Sequence, residues 1–210
     1  MILAVNMNPA IDKVYSVDGY QVGKVFRPRD MTATAGGKGS NVARVAHQLG
    51  EKVCITGMIG GSTGKQIEEE IISQGVESGF SYIQQESRIC INVTDEKNNT
   101  STEILEPGPI VTAKESKLFL NRYQELLEEC KVVTASGSLP EGVPVDMYAT
   151  LIRMAREKGI PFILDTSGDY LKEGIKAKPY MIKPNMDELT GLLNRKPKGM
   201  NDCIEAVRFL

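Results

Sequence analysis

The amino-acid sequence predicts an α/β fold with a mostly parallel sheet. Apolar segments of strand length alternate with amphipathic helical segments along most of the chain, which is typical of repeated βαβ units. The composition, with 41% hydrophobic and 25% charged residues, is that of a folded globular protein. A chain of 210 residues is long enough for one such domain with a small addition.

The alternation begins with residues 1–6, a short apolar strand. A glycine cluster then opens a helix with apolar residues at helical spacing, which ends at Gly50. The next unit has a strand at 52–59 and a helix at about 63–74. The later predicted elements are helices at 113–129, 144–157 and 186–193 and strands at 131–135, 161–165 and 179–182.

Two segments, at roughly 13–34 and 88–106, do not fit this alternation. The first carries strand-like residues at 13–18 and 25–34, and the second has two strand-like runs, 88–94 and 102–106, around a polar turn. We expect these pieces to pair as a small separate sheet that covers one edge of the fold.

Near the end of the sequence, Asn201 and Asp202 indicate a helix start. Ile204, Val207 and Leu210 then form an apolar stripe that nothing in the sequence covers. One interpretation is a terminal helix that docks on the body of the protein. The other is that the chain belongs to something longer.

Charge and composition exclude several classes of function. Twenty-five basic and 27 acidic residues give a net charge of −2, which argues against a broad nucleic-acid-binding face. The sequence contains neither an apolar run of about 20 residues nor a signal-peptide pattern, so we expect a cytoplasmic protein without membrane contact. The scattered cysteines and the single histidine, His47, disfavour disulfide, zinc and histidine-based nucleophilic chemistry.

The segment AGGKGSNVA at 35–43 is the strongest candidate for a binding motif. Its glycines allow backbone N–H groups to approach a ligand, and the following helix directs its positive end to the same place. With Lys38, this pattern suits a polar or anionic small molecule, although a tight strand-to-helix turn explains the glycines equally well. The Walker A and Rossmann spacings are both absent.

Residues 35–60, AGGKGSNVARVAHQLGEKVCITGMIG, resemble the first signature of the ribokinase-like sugar kinases of the phosphofructokinase B family. Five further segments match the family in order: NPAID at 8–12, TEILEPGP at 102–109, SGSLP at 136–140, LDTSG at 164–168 and IKPN at 182–185. The sequence is most similar to the branch that contains 1-phosphofructokinases and tagatose-6-phosphate kinases.

The resemblance implies a three-layer αβα fold with a small β lid and a homodimer formed through that lid. It also implies ATP and Mg²⁺ as co-substrate and cofactor. The expected acceptor is a ketohexose phosphate, with fructose 1-phosphate first and tagatose 6-phosphate as the alternative. An uncharged sugar or nucleoside is disfavoured because such a substrate does not require Arg88 and the basic residues around it.

The resemblance also assigns the substrate-binding residues. Asp12, Gly36, Gly37 and Asn41 are expected at the sugar hydroxyls, and Ser138 is expected near the sugar unless it is only a turn serine. Arg88 is expected to bind the phosphate that the substrate already carries, because its planar guanidinium matches phosphate oxygens. The candidates to assist it are Lys24, Arg27 and Lys38, of which the first two are equally consistent with a solvated surface.

For the nucleotide, the resemblance places Lys183 and Asn185 at the phosphates. Glu188 is expected to position Mg²⁺ through water, and Asp165 is expected either to support the metal or to cap a turn. Asn185 and Glu188 also have the spacing of a helix capping box, and both interpretations can hold together.

The family's catalytic base lies in a Gly-Ala-Gly-Asp type motif that does not occur in this sequence. The resemblance therefore places the base beyond Leu210, so that no catalytic residue is assigned here and the C-terminal part of the fold is absent. A non-catalytic sugar-phosphate-binding protein is the alternative function.

Overall fold

The computed structural model describes residues 1–207. The strands, in chain order, are β1 (Ile2–Val5), β2 (Ala10–Val17), β3 (Asp30–Gly36), β4 (Val53–Thr56), β5 (Met58–Gly60), β6 (Glu77–Ser78), β7 (Ser81–Ile83), β8 (Arg88–Asp95), β9 (Thr100–Leu105), β10 (Val132–Ser136), β11 (Phe162–Asp165) and β12 (Met181–Ile182). The helices are α1 (Lys38–Gln48), α2 (Gly61–Ser73), α3 (Ala113–Leu126), α4 (Met147–Glu157), α5 (Gly168–Lys176), α6 (Met186–Leu193) and α7 (Met200–Val207).

Six strands form the central sheet in the order β12-β11-β10-β1-β4-β6, and every neighbouring pair is parallel. Successive residues of β1 point to opposite faces, so Leu3 belongs to one hydrophobic cluster and Ala4 to the other. Helices α3 and α4 cover the first face, where Phe119 and Tyr123 are fully buried. Helices α1 and α2 cover the second face with residues such as Ile67. The predicted three-layer α/β fold with a mostly parallel sheet is confirmed.

The small sheet has four strands in the order β3-β2-β8-β9. Strands β2 and β8 are parallel, whereas the two outer pairs are antiparallel. The segments that break the βα alternation therefore pair with each other, as the sequence predicts. Strand β9 is exposed along its whole length.

The predicted strand at 52–59 is wrong in one respect, because Gly57 divides it. Gly57 has a φ of 153°, and a Cβ there would lie 1.8 Å from the Asn6 carbonyl oxygen. This close approach ends the pairing of β4 in the central sheet. The chain then continues as β5, which pairs with β7 in a separate two-stranded sheet.

Other boundaries also differ from the predictions. Residues 25–29 are a loop rather than strand, and β3 begins only at Asp30. Helix α3 ends at Leu126 and passes into a 3₁₀ turn, and α4 begins at Met147. Helix α5 and strands β6 and β7 were not predicted from the sequence.

The helix predicted at Asn201 is present as α7, in which Ile204 is exposed. Leu210, the last residue of the predicted apolar stripe, lies outside the described residues. Within residues 1–207, no helix combines the length and apolar character needed to cross a membrane.

Candidate active site

A polar pocket lies outside the carboxyl ends of β1 and β10. The chain runs from β1 to β4 and β6 on one side and returns to β10 on the other side, so this is the point at which the strand order reverses. Ligands of open parallel sheets bind at such a point. The pocket has a volume of about 500 Å³ and is lined by Asn6, Asn8, Asp12, Gly37, Lys38, Asn41, Arg88, Cys90, Glu103, Leu105, Gly137, Ser138, Thr166 and Ser167.

The glycine-rich turn packs directly on the end of β1. Asn6 is buried and donates from Nδ2 to the carbonyl oxygen of Gly36 at 3.2 Å and to Oγ of Ser40 at 2.9 Å. A Cβ on Gly39 would lie 2.6 Å from Cβ of Asn6. Only glycine permits this close approach, which brings the N-terminus of α1 to the pocket wall.

Asp12 extends from the small sheet into the pocket, and Gly37 lines the same pocket. Partial burial raises the pKa of Asp12 above its ordinary value, against the opposing effects of the Gly37 N–H and the positive charges of Arg88 and Arg44. A Cβ on Gly36 would lie 2.0 Å from Oδ2 of Asp12. The absence of a side chain at Gly36 therefore makes room for this carboxylate.

Arg88, the first residue of β8, is held by two backbone carbonyls. Its Nε donates to the Asn8 carbonyl oxygen at 3.1 Å, and its Nη1 donates to the Glu106 carbonyl oxygen at 3.1 Å. These contacts fix the plane of the guanidinium group and leave Nη2 for an anion in the pocket.

Asn8 and Ser138 meet where the two sheets approach each other. Asn8 donates from Nδ2 to the Pro107 carbonyl oxygen at 3.0 Å and, at the long distance of 3.5 Å, to Oγ of Ser138. Oδ1 of Asn8 is buried without a hydrogen-bond partner among the described residues. A Cβ on Gly108 would lie 2.3 Å from this oxygen, so glycine is required beside Asn8.

Two lysines converge on Asp165 at the end of β11. Nζ of Lys183 lies 3.3 Å and Nζ of Lys38 lies 3.9 Å from Oδ1 of Asp165. Lys38 is also part of the pocket wall. The structure therefore brings a residue predicted for the sugar side and one predicted for the nucleotide side to the same carboxylate.

Asn185 and Glu188 form a complete capping box at the start of α6. The Glu188 N–H donates to Oδ1 of Asn185 at 2.9 Å, and the Asn185 N–H donates to Oε2 of Glu188 at 2.8 Å. The structural interpretation of this pattern is confirmed, whereas its role toward a nucleotide stays a prediction.

The described residues fit Mg²⁺ only as a cation carried by phosphate and water. Residues 1–207 contain no group of three or more His, Cys, Asp or Glu side chains placed to hold a metal ion. Magnesium commonly keeps several waters and uses one or two carboxylates together with substrate phosphates. Asp165 and Glu188 are the carboxylates predicted for that purpose.

Lys24 and Arg27 lie in the exposed loop between β2 and β3 and do not line the pocket. One end of this loop is held by Asp95, which accepts hydrogen bonds from the N–H groups of Gly19 and Tyr20. A role for the two basic residues in substrate binding stays a prediction.

The sequence analysis left several pocket residues unassigned. Asn6 and Asn8 follow β1, Thr166 follows β11, and Cys90 and Glu103 lie on facing strands of the small sheet. The positions of Asn6 and Asn8 were a usable signal, because residues that directly follow parallel strands gather at one edge of the sheet. Cys90 and Glu103 carried no such signal, since their placement depends on how β8 and β9 pair.

A three-layer α/β fold with a glycine-rich turn at its switch point and a small sheet beside the pocket defines the class of ribokinase-like kinases. The family model described as pfkB family carbohydrate kinase matches residues 5–209. The chain belongs to this family.

Named relatives agree with this assignment. The chain is 43% identical over 198 residues to a tagatose-6-phosphate kinase from Staphylococcus epidermidis, an alignment that covers 93% of this chain and 63% of that protein. A solved structure described as a possible 1-phosphofructokinase from Thermotoga maritima matches with a TM-score of 0.90 at 31% identity, over 100% of this chain and 68% of that one. The tetrameric inhibited form of Escherichia coli phosphofructokinase-2 matches with a TM-score of 0.89 at 26% identity, over 99% and 68% of the two chains. The chain thus spans about 63% of the length of this tagatose-6-phosphate kinase.

Proposed function

We propose that this protein acts as a sugar-phosphate kinase that transfers the γ-phosphate of ATP to a ketohexose phosphate, with fructose 1-phosphate as the first candidate acceptor. The observation that carries the proposal is that Asp12 and Arg88 share one pocket. A carboxylate that accepts from hydroxyls and a guanidinium that binds phosphate are the two groups that a phosphorylated sugar requires.

In the proposed complex, the sugar hydroxyls donate to Asp12, and the side chain of Asn41 contacts the same sugar. The substrate phosphate lies against Nη2 of Arg88, whose Nε and Nη1 each donate to a backbone carbonyl. Ser138 closes the side of the pocket that belongs to β10.

The nucleotide phosphates are proposed to bind at Lys38 and Lys183, which share Asp165. Mg²⁺, when bound with ATP, neutralises charge on the phosphates, and Asp165 and Glu188 would contact it through water. Lys38 contacts both Asp165 and the sugar pocket, so it is the residue best placed to lie between the donor and acceptor groups. We assign no general base among residues 1–210.

Tagatose 6-phosphate is the second candidate acceptor, because the relative with 43% identity is a tagatose-6-phosphate kinase. Both candidates are ketohexoses with one phosphate, and both satisfy the Asp12 and Arg88 pair. They differ in which end of the sugar carries the phosphate and in the configuration of the hydroxyl at C4.

Calorimetric titration of the 210-residue chain with fructose 1-phosphate, tagatose 6-phosphate and unphosphorylated fructose tests this function. We expect one sugar phosphate to bind and the Arg88→Ala variant to lose that binding. Arg122→Ala is the matched control. The side chain of Arg122 is partly exposed, and within residues 1–207 its one ion pair is with Glu125. Equal binding of fructose and the sugar phosphates would contradict the proposal.

A second assay follows ADP formation with MgATP and the sugar phosphate that binds. ADP formation that depends on this sugar supports the kinase. Binding without ADP formation would instead favour a non-catalytic sugar-phosphate-binding protein.

We also propose a homodimer formed through the small sheet. Strand β9 is an edge strand whose six residues are all exposed, including Ile104 and Leu105 at 57% and 61%. An exposed edge strand favours pairing with another chain. Sedimentation equilibrium should give twice the chain mass, and a mass of one chain at micromolar concentration would contradict this proposal.

A further inference from the structure

Arg44, on α1, lies outside the pocket wall yet contacts a residue within it. Its Nη1 donates to Oδ1 of Asn41 at 2.8 Å, one helical turn earlier. An arginine only donates, so the oxygen of the Asn41 amide must face Arg44. The Nδ2 group of Asn41 is then left to donate elsewhere, and Asn41 is part of the pocket wall.

The remaining donors of Arg44 are fixed by a closed ring of hydrogen bonds. Nε donates to Oε1 of Gln74 at 3.0 Å, and Nε2 of Gln74 donates to Oε1 of Glu70 at 3.0 Å. Oε2 of Glu70 accepts the Ala35 N–H at 2.8 Å, and Nη2 of Arg44 donates to the Ala35 carbonyl oxygen at 2.6 Å. Arg44 is therefore held by α2 and by β3 at the same time.

The position of Ala35 explains why these side chains are needed. Strand β3 is at the edge of the small sheet and pairs only with β2, with Ala35 opposite Ile11. Ala35 is buried, and its outward N–H and C=O groups have no strand partner. A buried backbone group requires a partner, and Glu70 and Arg44 supply one for each group. The ring thus joins β3, which leads into the glycine-rich turn, to α1, which follows the turn.

We propose that Arg44 is a positioning residue for the substrate site, which acts by fixing the Asn41 amide with its Nδ2 group toward the sugar. The inference rests on the proposed function for the nature of the ligand. The ring formed by Gln74, Glu70 and Ala35 immobilises the guanidinium, so Asn41 is held in one orientation although its side chain is exposed. The positive charge of Arg44 also opposes the rise in the pKa of Asp12 that burial causes, so the two residues interact electrostatically.

The test compares Arg44→Lys with the wild type and with Arg122→Lys. Lysine keeps the charge but has one nitrogen in place of three, so it cannot complete the ring and reach Asn41 together. The Arg122→Lys control changes a partly exposed arginine whose ion pair within residues 1–207 is with Glu125. Thermal unfolding of each variant establishes that it is folded.

The first readout needs no ligand. We expect the Asn41 side-chain NH₂ group to be rigid by NMR relaxation in the wild type and in Arg122→Lys, and its order parameter to fall below about 0.6 in Arg44→Lys. An unchanged order parameter in Arg44→Lys would overturn the inference, even if the protein bound no sugar phosphate and the proposed function failed.

The second readout is the affinity for fructose 1-phosphate or tagatose 6-phosphate, whichever binds the wild type. We expect Arg44→Lys to weaken binding by about 10-fold, in line with the loss of one well-placed hydrogen bond to a ligand. In the Asn41→Ala background, the same substitution should have less than about a 2-fold effect, because the group through which it acts has been removed. If Arg44→Lys weakened binding as much in the Asn41→Ala background as in the wild type, the inference would be overturned and the proposed function would remain intact.

Discussion

The central sheet and the small sheet differ in how they are buried. Strand β4 of the central sheet is buried at every residue, with helices on both faces, whereas β9 of the small sheet is exposed at every residue. The pocket lies between these two parts and takes residues from both. The two groups proposed to bind the sugar phosphate, Asp12 and Arg88, are thus carried by the less protected sheet and not by the buried parallel layer. Elements with few buried contacts are those that move most readily around ligands.

The largest expected effect is a difference between the central sheet and the small sheet in how much a substitution lowers the free energy of unfolding. Phe119→Ala removes a fully buried ring from the first face of the central sheet and should lower the free energy of unfolding by about 3–5 kcal/mol. Met31→Ala, at an exposed position of β3 on the edge of the small sheet opposite β9, should change it by no more than about 0.5 kcal/mol. Urea unfolding of both variants measures the difference. If both variants lost a similar amount of free energy of unfolding, the small sheet would contribute to stability as much as the central sheet does.

The next effect concerns binding rather than stability. Asp12→Asn keeps the shape of this pocket side chain but removes the charge that accepts from sugar hydroxyls. The affinity for the sugar phosphate should fall about 100-fold, as expected when charged hydrogen bonds are lost. Asp18→Asn is the control, since Asp18 is an exposed carboxylate paired with Arg29 at 3.6 Å. If calorimetry gave equal affinities for Asp12→Asn and the control, Asp12 would not be a ligand of the sugar.

A smaller effect on affinity is expected at Gly36, which lies next to Asp12 and accepts a hydrogen bond from Asn6. In Gly36→Ala, the new methyl group would meet the Asp12 carboxylate, so the carboxylate must move and the affinity should fall about 10-fold. Gly23→Ala provides the comparison, because a Cβ at Gly23 meets nothing within 4 Å, although its φ of 79° adds backbone strain. It should leave affinity unchanged. A loss of affinity in Gly23→Ala as large as that in Gly36→Ala would show that displacement of Asp12 is not the cause.

The smallest effect is a dependence of stability on pH. Burial raises the pKa of Asp12 above 3.8, so the folded protein binds this proton more readily than the unfolded chain, and stability falls as the pH rises from about 3.8 through the raised pKa. Asp12→Asn lacks this loss. The stability of the variant relative to the wild type should therefore rise as the pH increases from 4 to 7. A constant difference in urea unfolding between pH 4 and pH 7 would contradict this account.

The central sheet was largely predictable because its strands and helices carry clear hydrophobic periods. Helix α1 was predicted from its apolar spacing and its glycine boundaries, and the pairing of the odd segments into a small sheet followed from their failure to fit the βα pattern. The capping box of Asn185 and Glu188 was also evident from spacing alone. These features depend on local sequence.

The failures arose where tertiary contacts decide the structure. The strand at 52–59 is broken at Gly57 by the close approach of the Asn6 backbone, which no local pattern reveals. Helix α5 has only nine residues, starts at a glycine with a φ of 60° and contains a second glycine, so its helical signal is weak. The ring around Arg44 was equally hidden, because it depends on the packing of α1, α2 and β3.

The most direct test of the central claim measures the preference of the pocket for a phosphorylated over an unphosphorylated sugar. Calorimetry would compare the bound ketohexose phosphate with the parent ketose, in the wild type and in Arg88→Ala. The account predicts that the wild type prefers the sugar phosphate by about 100-fold or more, as expected for a charge-assisted hydrogen bond, and that Arg88→Ala loses this preference. A preference that survives in Arg88→Ala would show that Arg88 does not bind the phosphate and would contradict the account.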